Sequence, residues 1–363
     1  MRFLAYFILG LVLTTVIVAP SVTVVQTRFI MNKNVDQPKE PDIINVTCII
    51  GGNVTNLGDN IVYINETGLL VFDYPLNTSD QRILSMKVYV NGTLVPQEYL
   101  EIVNEDPPYI VVKEDFLNKR YLSPNETLSA YIEYKVMINM SFRKMIAKQI
   151  NESLAEGWSN IIIQDKEEIG ETRLWNYTNP LVRLLIKYLN SNEEYNSTPL
   201  DYVLGAIEWF KRNVKYSPRI PPRQPWEVVA FKEGDCDDMS NLLITILRSR
   251  GIPAFLETGI IYLSREFIIN GSSVNGYYKY VFIGGGAHGW IVAYIPPWGY
   301  VRIDTTFGFT EPLTYIKYAA YYNFPTIVFG HIKDSDYPVE TVEFIETIRE
   351  KELEYTLIVE VKT

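Results

Sequence analysis

From Ile43 to about Met140 the chain is written in short alternating runs, IINVTCII, NIVYIN, GLLVFDYPL, SMKVYVNGTLV, YIVV and LSAYIEYKVMINM, with turn residues between them. A period of two puts one face of each run in a core and the other in water. Many short strands at this spacing predict a β-sandwich over residues 43–142. Asn91-Gly92, between KVYV and TLV, is the strongest hairpin signal, because both residues tolerate positive φ. Cys48 falls in the apolar run VTCII and reads as a small buried hydrophobe.

The period then changes to that of a helix, from near residue 144 to 250. Asn179-Pro180 opens LVRLLIKYL and Thr198-Pro199 opens LDYVLGAIEWFKRNV, each an N-cap followed by proline at the first helical position. Met239, Leu242, Leu243, Ile246 and Leu247 recur at i, i+3, i+4, i+7 and i+8, a helix with one buried face that Gly251 and Pro253 end. Strand-like runs return in AFLETGIIYL, YYKYVFI, HGWIVAYI and YVRIDTTF. The tail alternates cleanly, with Tyr355, Leu357, Val359 and Val361 on one face. Strands and helices in separate blocks make an α+β chain.

At 47% apolar and 13% aromatic, 363 residues suffice for packed cores. A net charge of −10 and the lack of a basic cluster exclude nucleic acid as the main partner, since phosphate binding needs a cationic face. The chain opens on MRFLAYFILGLVLTTVIVAP, one positive charge and then an apolar run from Phe3 that continues to Val25, enough to cross ~30 Å of hydrocarbon. Residues 1–27 are a signal anchor or a cleaved signal peptide. Val-Ile-Val-Ala before Pro20 is a poor cleavage site, which favours the anchor. The polar, proline-bearing residues 28–42 form a linker. The expected location is the cell surface, membrane-anchored with the bulk of the chain extracellular, or secreted if the helix is cut.

Asn-X-Ser/Thr sequons point to the same side of the membrane, because glycans are added only to exported chain. They begin at Asn45, Asn53, Asn65, Asn77, Asn91, Asn125, Asn139, Asn151, Asn176, Asn196 and Asn270. That makes 11, against about 3 expected by chance from 25 asparagines and 41 serines plus threonines. N-linked glycans are therefore expected partners, although an Asn- and Thr-rich surface without sugar reads the same way. Ten of the 11 precede residue 200, so the later half is left nearly clear.

Two cysteines make no disulfide framework, and two histidines without HExxH spacing make no zinc site. No cofactor is expected. In GDCDDMSNLL, residues 234–243, Cys236 lies at the first turn of the helix with the buried stripe. Helix-end N–H groups and the positive end of the dipole favour a thiolate there and offer an oxyanion donor. Asp235, Asp237 and Asp238 act the other way if charged, raising the thiol pKa, or else cap the helix. They lack the DxDxDG spacing of a calcium loop. His288, in VFIGGGAHGWIVAYIPPWGYVRIDTTF, is the available base, and Asp304 the group that would fix its tautomer. A turn centred on Pro296 would set His288 opposite Asp304; one centred between Pro297 and Trp298 would separate them. Gly284, Gly285, Gly286 and Gly289 permit a tight bend or a close substrate backbone. His331 has no companion pattern and reads as an ordinary histidine.

GDCDDMSNLLITILRSRGIPAFLETG followed by AHGWIVAYIPPWGYVRIDTTFG, with YVLGAIEWFKRNVKYSP upstream, resembles the transglutaminase-like superfamily over roughly residues 195–310. The resemblance implies a papain-like core with Cys236 as nucleophile, His288 as base and Asp304 as its orienter, preceded in many members by a β-sandwich. It assigns residues 143–315 to that domain and leaves 316–363 as a β-rich C-terminal extension packed on the core or the sandwich. The family's side-chain oxyanion donor is not carried over, although Trp209, Gln224 and Trp226 lie nearby. The expected function is a cysteine enzyme acting on amide bonds of a protein or peptide, more by hydrolysis than crosslinking. The alternatives are a catalytically silent glycosylated scaffold or adhesion protein, for which a Cys48–Cys236 disulfide would speak, and a solute- or polysaccharide-binding module suggested by 26 tyrosines and 6 tryptophans.

Overall fold

The computed structural model describes residues 42–105, 107–152, 154–306, 311–319 and 324–363. In chain order, the strands of its two main sheets are β1 (Ile43–Asn56), β2 (Gln81–Val90), β3 (Thr93–Leu94), β4 (Thr127–Asn139), β5 (Ala254–Tyr262), β6 (Ile268–Ser273), β7 (Tyr278–Ile283), β8 (Gly285–Ile295), β9 (Gly299–Ile303), β10 (Thr326–Ile332) and β11 (Leu353–Lys362). The larger sheet has the order β6-β7-β11-β1-β4-β2-β3, and the smaller β9-β8-β5-β10. All pairings in them are antiparallel except β7 with β11.

Alternation builds the first core. Leu128, Ala130, Ile132, Tyr134, Val136 and Ile138 of β4 are buried with Val46, Cys48, Ile50 and Val54 of β1. A smaller sheet, Val71–Asp73, Tyr109–Val112 and Leu100–Val103, covers them with Phe72, Ile110 and Val112, completing the sandwich. The β2–β3 hairpin turns at Asn91 (φ 49°) and Gly92 (φ 76°), the positive-φ pair its sequence calls for.

The sheet does not stop at residue 142. β1 pairs with β4 on one side and, from Thr47↔Lys362 to Asn56↔Leu353, with the C-terminal strand β11 on the other. Residues 268–283 then add β6 and β7. A long central strand needs two partners for its backbone groups, and β11 buries Tyr355, Leu357, Val359 and Val361 in the same core. The C-terminal segment also contains a helix, Tyr337–Glu350, which buries Phe344 and Ile348 one turn apart. Its short apolar stripe is weak in sequence.

The other helices of seven or more residues are α1 (Met140–Glu152), α2 (Pro180–Asn190), α3 (Pro199–Asn213), α4 (Pro225–Phe231) and α5 (Cys236–Arg248), and Tyr337–Glu350 is α6. Asn179 caps α2 by accepting from Leu181 N at 3.0 Å, and Thr198 caps α3 by accepting from Asp201 N at 3.1 Å. α5 is buried along its whole length in a second core and packs on β8. The strands of the smaller sheet run from one core into the other: Leu256, Ile291 and Ile332 lie in the second, and Ile260, Ala287 and Ile327 in the first. His288 follows Ala287, so it stands at the seam. Among the described residues no helix is long and apolar enough to cross a membrane; the run Phe3–Val25 lies outside them.

Candidate active site

Cys236 is the first residue of α5, and Asp235 is its N-cap. β8 runs beside this helix end, and the Gly289 amide N–H donates toward the Cys236 sulfur. The thiol therefore meets β8 at the residue after His288. Within the β8–β9 hairpin, Ile295 pairs with Gly299 and Ile291 with Ile303, so the turn is centred on Pro297. This register differs by two residues from the one that would set His288 opposite Asp304. Because side chains alternate with period two, a shift of two keeps both on the same face. They meet on the diagonal, with His288 Nε2 2.6 Å from Asp304 Oδ2.

Asp304 is buried just past the end of β9, where its other oxygen accepts from Thr306 Oγ1 at 2.6 Å and Thr306 N at 3.1 Å. Burial alone would raise its pKa, but the charge of His288 and these hydrogen bonds together hold it below the usual carboxylate range. An ionised carboxylate only accepts, so the imidazole proton sits on Nε2 and the basic atom is Nδ1. Cys236 is 0% exposed and His288 7%. Burial, and then the charges of Asp237 and Asp235, push the thiol pKa well up, against the pull of the Gly289 N–H. The resting sulfur is thus a protonated thiol that needs a base.

The three aspartates of GDCDD turn out to be fasteners. All are buried, and their carboxyl oxygens come within 4.8 Å of one another. Asp235 Oδ2 accepts from Arg219 N at 3.3 Å. Asp238 accepts from Arg223 N at 2.6 Å and Arg223 Nη1 at 2.9 Å, and it also accepts from Asp235 N at 3.3 Å, which closes the helix cap. Asp237 Oδ2 accepts from the Tyr337 hydroxyl at 2.7 Å, which in turn accepts from Asn241 Nδ2 at 2.6 Å. They tie the loop before α4, and the start of α6, to the entrance of α5. Burial, and then repulsion from Asp238 and Asp237, raise the Asp235 pKa well above the usual carboxylate range, and burial also raises that of Asp237, against the pull of Asp235 and the Tyr337 hydroxyl.

None of the nearby oxyanion candidates is directed at the thiol. Gln224 spends its Nε2 on Asp336 Oδ1 at 3.1 Å, Trp209 lies under Lys232 Nζ at 4.4 Å, and Trp226 lines a surface cavity of about 270 Å³ with Arg173 and Asp336. The residue that does come close is Tyr216, in VKYSP. The pair Lys215–Tyr216 runs parallel to Glu233–Gly234, which brings Tyr216 alongside the residue two before the cysteine. Burial, and then the negative groups Cys236, Asp235, Asp237 and Asp304, raise its pKa well above the ordinary phenol value, so it remains a donor. No motif marks a tyrosine for this place; only the pairing of two short segments does.

The two cysteines are both thiols, Cys48 in the first core and Cys236 in the second, so the Cys48–Cys236 bridge is not formed. His331 is also more than an ordinary histidine: its Nε2 lies 2.8 Å from Glu257 Oε1, on the face of the sheet that carries His288. Of the sequon asparagines, Asn45, Asn65, Asn77, Asn91, Asn125, Asn176 and Asn270 are exposed, and Asn53, Asn139 and Asn196 half-buried. The side chain of Asn151 lies outside the described residues.

The sequence profile of the transglutaminase-like superfamily matches residues 187–305. Residues 187–305 are a transglutaminase-like domain. YebA, an uncharacterised protein of Bacillus subtilis strain 168, is 37% identical over 81 residues, which are 22% of this chain and 10% of that relative. The chain thus spans about a tenth of YebA. A solved structure from Cytophaga hutchinsonii, described as a candidate cysteine protease, matches 88% of this chain and 90% of its own with a TM-score of 0.50 at 14% identity. The periplasmic domain of TgpA from Pseudomonas aeruginosa matches 65% of this chain and 98% of its own, with a TM-score of 0.28 at 14% identity. The first of these structures shares the fold beyond the transglutaminase-like domain, across most of the chain.

Proposed function

We propose that the protein is a cysteine enzyme in which Cys236 attacks an amide carbonyl of a protein or peptide. The observation that carries this reading is the 2.6 Å contact of His288 Nε2 with Asp304, on the strand whose next N–H meets the thiol. With Nε2 held, Nδ1 takes the thiol proton as the C–S bond forms, and returns it to the leaving amine as the C–N bond breaks. The product is a thioester. The Cys236 backbone N–H, at the helix end, and the Tyr216 hydroxyl supply donors to the oxyanion. Water then cleaves the thioester, with His288 again as base. Hydrolysis is favoured over transfer to an amine because water is abundant and no acceptor-amine site is evident among the described residues.

The remaining parts of the reading rest on sequence: an N-terminal anchor at Phe3–Val25, a chain displayed outside the cell, and glycans on the exposed sequons. The test is incubation with an unfolded protein substrate and mass spectrometry of the products. New amino termini are expected with the wild type and none with Cys236→Ala. Incorporation of an added primary amine, without new termini, would reassign the reaction to acyl transfer. One observation favours the second reading, a silent surface scaffold: the complete burial of Cys236. Absence of both products and of a Cys236 thioester would establish it.

A further inference from the structure

Both histidines of the chain lie on one face of the smaller sheet, and one buried carboxylate bonds His331 and the Trp290 indole that lies beside His288. Glu257, on β5, accepts from Trp290 Nε1 on β8 at 2.7 Å and from His331 Nε2 on β10 at 2.8 Å. Arg302, on β9, donates to its two oxygens through Nε at 3.0 Å and Nη2 at 3.1 Å. One side chain thus holds a partner on each of the other three strands. Burial opposes its charge, but Arg302 first and then His331 overcome this and hold Glu257 far below the usual carboxylate range.

Two of these partners stand two residues from the catalytic pair, and on the same face. Trp290 is two residues after His288, and Arg302 two before Asp304. The indole and imidazole rings lie 5.7 Å apart, inclined at 35°. Opposite His288 on β5 is Gly259, where an added Cβ would come within 2.4 Å of the Ile327 carbonyl oxygen and 3.0 Å of Trp290 Cη2. The indole therefore leans into space that any other residue would fill. A buried Glu–Arg pair is a poor stabiliser compared with apolar side chains of like volume, whereas its forked hydrogen bonds fix geometry well.

We propose that Glu257 is a positioning residue: by holding Trp290 and Arg302 it fixes the plane of the His288 ring and the spacing at which that ring meets Asp304. The proposal rests on the reading of Cys236 and His288 as the reacting pair. An indole whose N–H is bound to a carboxylate also presents a more electron-rich face to an imidazolium. Removing the carboxylate, or the indole N–H, should therefore loosen the contact of the His288 ring with Asp304.

Because the chain has only 2 histidines, their ring N–H signals can be followed separately by NMR. The variants are Glu257→Gln and Trp290→Phe. The second keeps an aromatic ring and leaves the contacts of Glu257 with Arg302 and His331, so it serves if the first does not fold. In both, the His288 Nε2–H signal, held downfield by its bond to Asp304, is expected to move upfield, and alkylation of Cys236 by iodoacetamide at pH 7 to slow ~10- to 100-fold, the usual cost of losing a supporting partner. In Trp290→Phe the His331 signal should not move. A His288 Nε2–H signal in Trp290→Phe that coincides with wild type overturns the proposal. A shifted His288 signal, combined with alkylation that is indifferent to His288→Ala, supports the positioning role and overturns the catalytic reading instead.

Discussion

Replacing Arg223 by Met should destabilise the protein more at pH 8 than at pH 5. The Arg223 side chain is 6% exposed and bonds Asp238, which is wholly buried, at 2.9 Å; its Nη1 also donates to the Ser217 carbonyl at 2.8 Å. Burial, and then the charge of Asp237, raise the Asp238 pKa to about 7, although Arg223 pulls it down. Its unfolded value is about 3.9. The folded protein therefore binds the extra proton between about pH 4 and pH 7, and this contribution to stability is complete at low pH and lost as pH rises through 7. Removing the guanidinium takes away the only cation on Asp238 among the described residues. At pH 8 a buried carboxylate is left unpaired, at a cost of ~3–5 kcal/mol. At pH 5 the carboxyl is neutral in wild type and variant alike, and the loss shrinks to the hydrogen bonds, ~1–2 kcal/mol. Urea unfolding followed by tryptophan fluorescence at both pH values measures the difference. Equal losses at the two pH values, or a larger loss at pH 5, would refute the account of Asp238 as a buried anchor whose charge depends on Arg223.

Other expectations follow from the same geometry. Asp304→Asn should leave the fold intact by circular dichroism but reduce turnover ~10²- to 10⁴-fold, because a neutral amide no longer fixes the imidazole tautomer; turnover within threefold of wild type would remove Asp304 from the site. Thiol titration of the denatured, unreduced protein should find both cysteines, while a count of zero would restore the Cys48–Cys236 bridge. In a host that adds N-linked glycans, glycopeptides are expected at exposed Asn65, Asn125 and Asn270 but not at Asn196, whose Nδ2 donates to the Leu189, Asn190 and Asn192 carbonyls; an occupied Asn196 would contradict this.

Local rules made the helix starts and the place of Cys236 legible. Asn179-Pro180, Thr198-Pro199 and the stripe from Met239 to Leu247 each specify a helix through residues close in sequence, and the position of Cys236 follows from the last of them. The pairing of His288 with Asp304 was legible only in part. Parity is set by the alternation of side chains, but the offset of two residues depends on the length of the Pro296-Pro297-Trp298 loop. The extent of the large sheet was not legible: β11 reads plainly as a strand, yet nothing local says that it lies along β1, some 300 residues earlier. Tyr216 and Glu257 were missed for the same reason, since each acts through segments distant in the chain. The aspartates of GDCDD were legible in part: the cap made by Asp235 and Asp238 follows from the helix start, whereas the ties to Arg219, Arg223 and Tyr337 join segments that no local rule connects.

The most direct test of the central claim is the rate of Cys236 alkylation by iodoacetamide between pH 5 and pH 9, read by peptide mass spectrometry in wild type and His288→Ala. A thiol served by His288 should react with a plateau around neutral pH that disappears in the variant, leaving a slow rate that is still rising at pH 9, as for a buried thiol without a base. Superimposable curves for the two proteins would contradict it, and with it the assignment of Cys236 as a nucleophile.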